Sequence, residues 1–225
     1  MFIYFCITLH KNNYTKKNIM KTTIKISTLI LSLILSINSF ACKTCGCSAK
    51  SNKKMSNSTS FEVSEKSQVK WLGKKVTGSH EGDIEIFDAF LEFNNDNKLI
   101  GGEVTINMST INCTDLEGDA KNSIEGHLKS DDFFSVKKFP TSNLVIKKAK
   151  HLKNNKYEIV ADLTIKNIKR EIKFNAVLEN NVATADVVID RTKFDVKYGS
   201  GSFFDNLGDK MIYDDFNLNI SLKYN

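Results

Sequence analysis

The chain has 225 residues, with 32 Lys and Arg against 26 Asp and Glu, a formal charge of +6 and an isoelectric point near 8.9. Five of the lysines fall within residues 1–41, which contain no acidic side chain, so the remainder carries 27 basic residues against 26 acidic ones. That near-neutral balance lacks the concentrated basic face of a nucleic-acid-binding protein and excludes that class.

Residues 1–41 read as a secretory signal peptide. Lysines precede an apolar run at 26–37, ISTLILSLILSI, which is short for a bilayer span, and Ser39, Phe40 and Ala41 supply a small-x-small end. A transmembrane anchor is the competing reading, and its length argues against it. Met20 is a plausible true start, because MKTTIKISTLILS is already a complete signal opening.

Residues 42–60 hold one methionine and no aromatic or branched aliphatic residue, so they are expected to form a disordered, Cys-rich tether. Cys42, Cys45 and Cys47 form C-x2-C-x-C, in which Cys45 and Cys47 stand too close for an unstrained disulfide. Three thiolates could hold a soft metal, but no clear fourth ligand is near and none is assigned. Cys42 directly follows Ala41, and lipidation there would tether the protein to a membrane. The residues before it lack the aliphatic side chain expected three places upstream, which favours ordinary cleavage after Ala41. The remaining stretch, 61–225, is the size of one domain.

From 61 onward the dominant period is two. EVTINM places Val104, Ile106 and Met108 on one face, and YEIVADLTI does the same with Tyr157, Ile159, Ala161, Leu163 and Ile165. Ile172, Phe174, Ala176 and Leu178 alternate in REIKFNAVL, and Phe216, Leu218, Ile220 and Leu222 in FNLNISLKY. Such alternation marks antiparallel strands with one apolar and one wet face. In DIEIFDAFLEF the parity slips: Ile84 and Ile86 share one phase, Phe87, Ala89, Leu91 and Phe93 the other, so a bulge is expected near Phe87 and Asp88. Polar turns are expected at 94–98, 167–170 and 179–181. Closing this meander into a barrel would remove its exposed edges.

Between Asp115 and Lys129 the period changes. Leu116, Ala120, Ile124 and Leu128 recur at every fourth position, a helical stripe, weakened by Gly118 and Gly126. The helix leads into DDFFSVKKFP, which sets Phe133 and Phe134 beside two acids and contains the one proline of the chain. The 15 phenylalanines fit either a chamber with aromatic walls or a packed core with aromatic corners, and the residues alone leave both open.

The catalytic inventory is thin. His80 and His127 are the candidate bases, while HEGDI lacks the second histidine of a zinc-protease helix and no nucleophile elbow or phosphate loop is present. Asp115, Glu117 and Asp119 lack the glycine and ligand order of a calcium loop. The acid pairs Asp131/Asp132 and Asp214/Asp215 read as solvated or capping groups. Asp190 and Arg191 are neighbours on a strand, so they should bond to other elements rather than to each other, and the Arg191 fork suits a backbone or carboxylate partner.

The order of the segments VKWLGKKVTGSHEGDIEI, LIGGEVTINMSTI, SIEGHLKSDDFFSVKKFP, YEIVADLTIKNIKREIKF, IDRTKFDVKYGSGSFFDNLGDK and IYDDFNLNISL resembles the YceI-like, polyisoprenoid-binding family across 61–225. KYGSGSFFDNLGDK is most similar to members of the Bacteroidota type. The resemblance implies an all-β fold, an extended eight-stranded antiparallel lipocalin-like barrel with a short inserted helix. It implies an exported, periplasmic or secreted, non-enzymatic protein without a cofactor. The implied partner is an isoprenoid, quinone-like or fatty lipid held in an axial tunnel, with homodimerisation left open. On that basis the expected tunnel lining is Ile159, Leu163, Phe174, Leu178, Phe216, Leu218 and Ile220, with Phe133, Phe134 and Phe203 near the ends. The rival expectation is an enzyme acting on a bound lipid through His80 or His127.

Overall fold

The computed structural model describes residues 58–225, so the expected signal peptide, Cys42, Cys45 and Cys47 lie outside the described residues. Among the described residues there are eleven strands: β1 (Ser58–Glu62), β2 (Gln68–Lys75), β3 (Gly78–Ile84), β4 (Ile86–Asn94), β5 (Leu99–Asn107), β6 (Asn112–Cys113), β7 (Thr141–His151), β8 (Lys156–Ile165), β9 (Ile168–Glu179), β10 (Val182–Asp190) and β11 (Ile212–Lys223). One α-helix, α1 (Gly118–Lys129), separates β6 from β7. The strands form a single curled sheet in the order β1-β4-β5-β7-β8-β9-β10-β11-β2-β3-β6. Every pairing in it is antiparallel.

Two sequence expectations are corrected here. The sheet begins at Ser58, not 61, because β1 pairs Ser58, Thr59 and Ser60 with Asn94, Phe93 and Glu92 of β4. Polar side chains did not prevent strand formation, since the neighbouring backbone supplies the partners. The strand count is eleven rather than eight, partly because DIEIFDAFLEF is broken at Glu85. β3 pairs with β2 while β4 pairs with β5, so two halves of one run lie at opposite sides of the strand order. Glu85 joins those sides, held by its amide on Thr110 Oγ1 (2.9 Å) and by its carbonyl on the Asn107 amide (3.0 Å). The short strands β1 and β6 make up the difference.

The expected bulge is present. Register shifts between Ile86 and Asp88, which makes Phe87 the extra residue of β4. Its ring therefore turns outward, 71% exposed, while Ala89, Leu91 and Phe93 point into the core. The turns follow from backbone chirality. Asn180 and Asn181 (φ 52° and 61°) join β9 to β10, and Lys166 and Asn167 (φ 50° and 60°) join β8 to β9. Two successive left-handed residues match the twist of a tight hairpin, and asparagine tolerates that region well. The β8–β9 turn thus falls one residue earlier than its expected position.

One end of the sheet is filled by side chains. Phe61, Phe93 and Tyr224 pack with ring centroids 5.2–6.1 Å apart, beside the buried Leu91, Leu99, Tyr157 and Leu178. The opposite end is organised by Arg191, which is 2% exposed and opens a 3-10 turn directly after β10. It donates from Nε to the Tyr213 carbonyl (3.1 Å), from Nη1 to Val196 (2.7 Å) and from Nη2 to Ile212 (3.0 Å). The expected backbone partner for its fork is thus realised three times over. Asp214 stands 3.6 Å from Nη2 and accepts a hydrogen bond from Ser202 Oγ. Asp190 turns elsewhere and caps the Thr192 amide at 3.0 Å.

Arg191→Met keeps the apolar stem and removes every donor, leaving three carbonyls without this partner and Asp214 without its counter-charge. It should lower stability by about 3 kcal/mol or more, measured by urea denaturation; a loss under about 1 kcal/mol would contradict this role.

Candidate functional site

The inward faces of the sheet enclose a cavity of about 770 Å³, within the range of small-molecule sites. Val69 and Trp71 come from β2, Val104 and Ile106 from β5, Leu144 and Ile146 from β7, and Ile159, Leu163 and Ile165 from β8. Phe174 and Leu178 of β9 and Phe216, Leu218, Ile220 and Leu222 of β11 complete the wall. The space persists because several inward positions carry almost no side chain. Ala176 of β9 and Ala185 of β10 face each other across the ladder, both line the cavity, and Ala183 lies beside them. Side chains of leucine size there would close the gap, as they do in a packed small barrel.

The helix roofs one end. Leu116, Ala120, Ile124 and Leu128, the stripe read from the sequence, all line the cavity, and α1 starts later than expected, at Gly118. After α1 the chain divides by polarity. Asp131 and Asp132 stay exposed, with Asp131 bound to Lys138 Nζ at 2.8 Å. Phe133 and Phe134 turn inward onto the cavity. The turn is made by backbone bonds from the Phe133 amide to the Ser130 carbonyl (3.2 Å) and from Phe134 to Leu128 (3.1 Å). Phe133 lies between the His127 ring (5.4 Å) and the Arg191 guanidinium (5.5 Å). Phe134 meets the rings of Phe133 (5.3 Å) and Phe216 (6.4 Å) edge-on.

Nine of the ten residues expected at the lining are there: Phe133, Phe134, Ile159, Leu163, Phe174, Leu178, Phe216, Leu218 and Ile220. Phe203 is not. The amides of Phe203 and Phe204 both donate to the Ser200 carbonyl (3.2 and 3.0 Å), and this tight turn leaves both rings outside, 51% exposed. Lys197 Nζ covers the Phe203 ring at 5.1 Å. The strands β2, β5 and β7 contribute lining that was not singled out, although the alternation of Val104 and Ile106 carried the signal.

The polar groups of the cavity gather toward the Arg191 end, where Lys74, Lys75, Tyr198, Asp209, Lys210 and Tyr213 join the lining. Both candidate histidines reach it. His127 packs edge-on to Tyr198 at 4.5 Å. His80 lines the wall from β3, with Nδ1 2.9 Å from Asp115 Oδ2. Burial pushes the Asp115 carboxyl up, but hydrogen bonds from Cys113, His80 and the Glu81 amide outweigh it and hold the group at about 2. Burial likewise pushes the Cys113 thiol up, and there its bond to Asp115 adds to the rise, so the thiol ends above its ordinary value.

Residues 56–224 match the model of the YceI-like domain. Among solved structures, BcnA of Burkholderia cenocepacia superposes with a TM-score of 0.58 at 21% identity, covering 70% of this chain and 95% of that one. A polyisoprenoid binding domain from Saccharophagus degradans, implicated in plant cell wall breakdown, gives a TM-score of 0.51 at 9% identity over 73% of this chain and 97% of that one. At such identities the likeness is one of fold. No curated protein matches significantly.

An open cavity and a packed core differ in how they answer truncation. Phe174 faces the cavity and is only partly buried, whereas Phe194 is 2% exposed and packed on all sides. Phe194→Ala should cost about 3–5 kcal/mol and Phe174→Ala less than half of that, read by chemical denaturation of the ligand-free protein. Equal losses would mean the chamber is collapsed in solution.

Proposed function

We propose that this chain, which belongs to the YceI-like domain family, is a binding and carrier protein for a long-chain apolar lipid, isoprenoid, quinone-like or fatty. The observation that carries this reading is the cavity wall: nearly continuous hydrocarbon, with its charged residues gathered toward the Arg191 end. An amphiphile would lay its tail along β8, β9 and β11 and keep its head among the polar side chains near Arg191. Each methylene removed from water contributes about 0.8 kcal/mol, so a long tail binds tightly with little polar recognition. Selectivity then comes from tail length and shape. The polyisoprenoid binding named for the Saccharophagus degradans domain supports the same ligand class.

The finer assignments follow from that reading. Counting β3 and β4 as one bent strand, and setting aside the short β1 and β6, leaves eight long strands, the wall of a lipocalin-like barrel. The ligand contacts are Phe133, Phe134, Ile159, Leu163, Phe174, Leu178, Phe216, Leu218 and Ile220. The signal-like residues 1–41 support export to the periplasm or beyond, with Cys42 the point of attachment if the protein is lipid-anchored, and KYGSGSFFDNLGDK supports a Bacteroidota-type member. The rival reading, an enzyme acting on bound lipid, draws on the fact that His80 and His127 both line the cavity.

Native mass spectrometry of protein purified from its host should reveal one co-purifying lipid per chain. Phe174→Asp, which sets a charge in the wall, should reduce lipid extraction from vesicles at least tenfold while the fold, followed by circular dichroism, survives. Undiminished extraction would remove the cavity from consideration as the binding site. Bound lipid recovered after incubation should have unchanged mass; a product whose formation is lost in His80→Ala/His127→Ala would establish the enzyme instead.

A further inference from the structure

One group of polar side chains beside the cavity has no part in holding a hydrocarbon tail. His80 stands on β3, Cys113 ends β6, and Asp115 follows in the connection to α1. Gly82 lies opposite Cys113 and Asp83 opposite Asn112 in the β3–β6 ladder. That register brings His80 Nδ1, Cys113 Sγ and an Asp115 carboxylate oxygen within 4.8 Å of one another. The approach is close because residue 82 has no side chain: a Cβ there would sit 1.8 Å from the Asn112 carbonyl and 2.6 Å from the Trp71 ring. Asp115 is oriented by three donors, the Cys113 thiol to Oδ1 (3.0 Å), the Glu81 amide to Oδ1 (3.2 Å) and His80 Nδ1 to Oδ2 (2.9 Å).

We infer that His80, Cys113 and Asp115 form a binding site for a zinc-class divalent cation, a role separate from the lipid reading. One imidazole, one thiolate and one carboxylate are a donor set suited to zinc, and three protein ligands leave a fourth position to water. Donors around one tetrahedral zinc lie about 3.2–3.7 Å apart for metal–ligand lengths of about 2.0–2.3 Å. The two hydrogen-bonded separations, 2.9 and 3.0 Å, lie just under that range and none of the three exceeds 4.8 Å, so small side-chain rotations suffice and the β3–β6 ladder need not move. Thiolate and carboxylate together carry two negative charges, which a divalent ion neutralises. The carboxylate of Glu125 is engaged elsewhere, on the Cys113 amide (2.9 Å), Lys121 (3.6 Å) and Lys129 (3.7 Å).

Access has a direction. Cys113 is fully covered, while the His80 and Asp115 side chains are 27% and 29% exposed. The ion enters past the imidazole and carboxylate and meets the sulfur at the floor of the site. On binding, the metal–sulfur bond forms as the thiol proton leaves to solvent, and the imidazole presents Nδ1 with its proton on Nε2. The two hydrogen bonds that held Asp115 are exchanged for coordination to the same ion, and the Glu81 amide continues to orient the carboxylate.

The test uses the full chain carrying Cys6→Ser, Cys42→Ser, Cys45→Ser and Cys47→Ser, so that Cys113 is the sole thiol. Titration with cobalt(II) should give one ion per chain and a near-ultraviolet thiolate-to-cobalt charge-transfer band, displaced by zinc. Adding Cys113→Ser should abolish the band, and His80→Ala or Asp115→Asn should weaken binding at least tenfold. Absence of the band with Cys113 present overturns the site, as does a band that survives Cys113→Ser. Where Cys113→Ser proves unfolded by circular dichroism, His80→Ala decides, since that side chain is partly exposed: unchanged cobalt affinity there overturns the assignment.

Discussion

A single guanidinium sets the geometry on which the cavity depends. β10 and β11 pair along most of their length, but the chain between them must leave the sheet and return. Arg191 gathers that excursion by binding the carbonyls of Val196, Ile212 and Tyr213 at once. Planar, fixed donors do this where a flexible ammonium would hold one partner at a time. The same group lies over Phe133, so the segment after β10 and the segment after α1 are positioned by one side chain. The helix end of the cavity is thereby built from two loops that act as a rigid rim.

Against that rim, the middle of the sheet is under-filled. Inward alternation is the rule for any sheet with a wet outer face, and it would ordinarily produce a dense core. Here Ala176, Ala183 and Ala185 interrupt the larger residues at one level of the wall, and the space they leave is continuous with that below α1. Aromatic rings concentrate where the space ends, Phe133 and Phe134 at the helix and Phe61, Phe93 and Tyr224 opposite. The distribution of volume, large at the ends and small between, separates this wall from a solid one.

Much of this was legible in the sequence, for definite reasons. Period-two alternation placed Ile159, Leu163, Phe174, Leu178, Phe216, Leu218 and Ile220 inward because a pleated strand permits only two faces. The stripe of Leu116, Ala120, Ile124 and Leu128 read correctly as facing the interior, though the helix takes in only the last three. Alternation has no authority in loops, and there the reading of Phe203 failed: hydrogen bonds to Ser200 decide which way that turn opens. The slip in parity at Phe87 and Asp88 marked the bulge, and the register shows that Phe87 is the residue it absorbs. The meeting of His80 with Cys113 and Asp115 was invisible, since it rests on a two-residue ladder between β3 and β6 that no periodicity announces. Ser58–Ser60 gave no strand signal, their order coming entirely from the partner strand β4.

The aromatic plug of Phe61, Phe93 and Tyr224 has a kinetic consequence. Under the carrier reading proposed above, a tail stopped at the far end by packed rings would have to back out along the route by which it came, head first. One occupant would have to clear the doorway before the next could start in, so exchange of guests would be sequential and paced at the α1 and Arg191 rim. Tails longer than the blind bore would trail outside, within reach of whatever membrane or protein receives them.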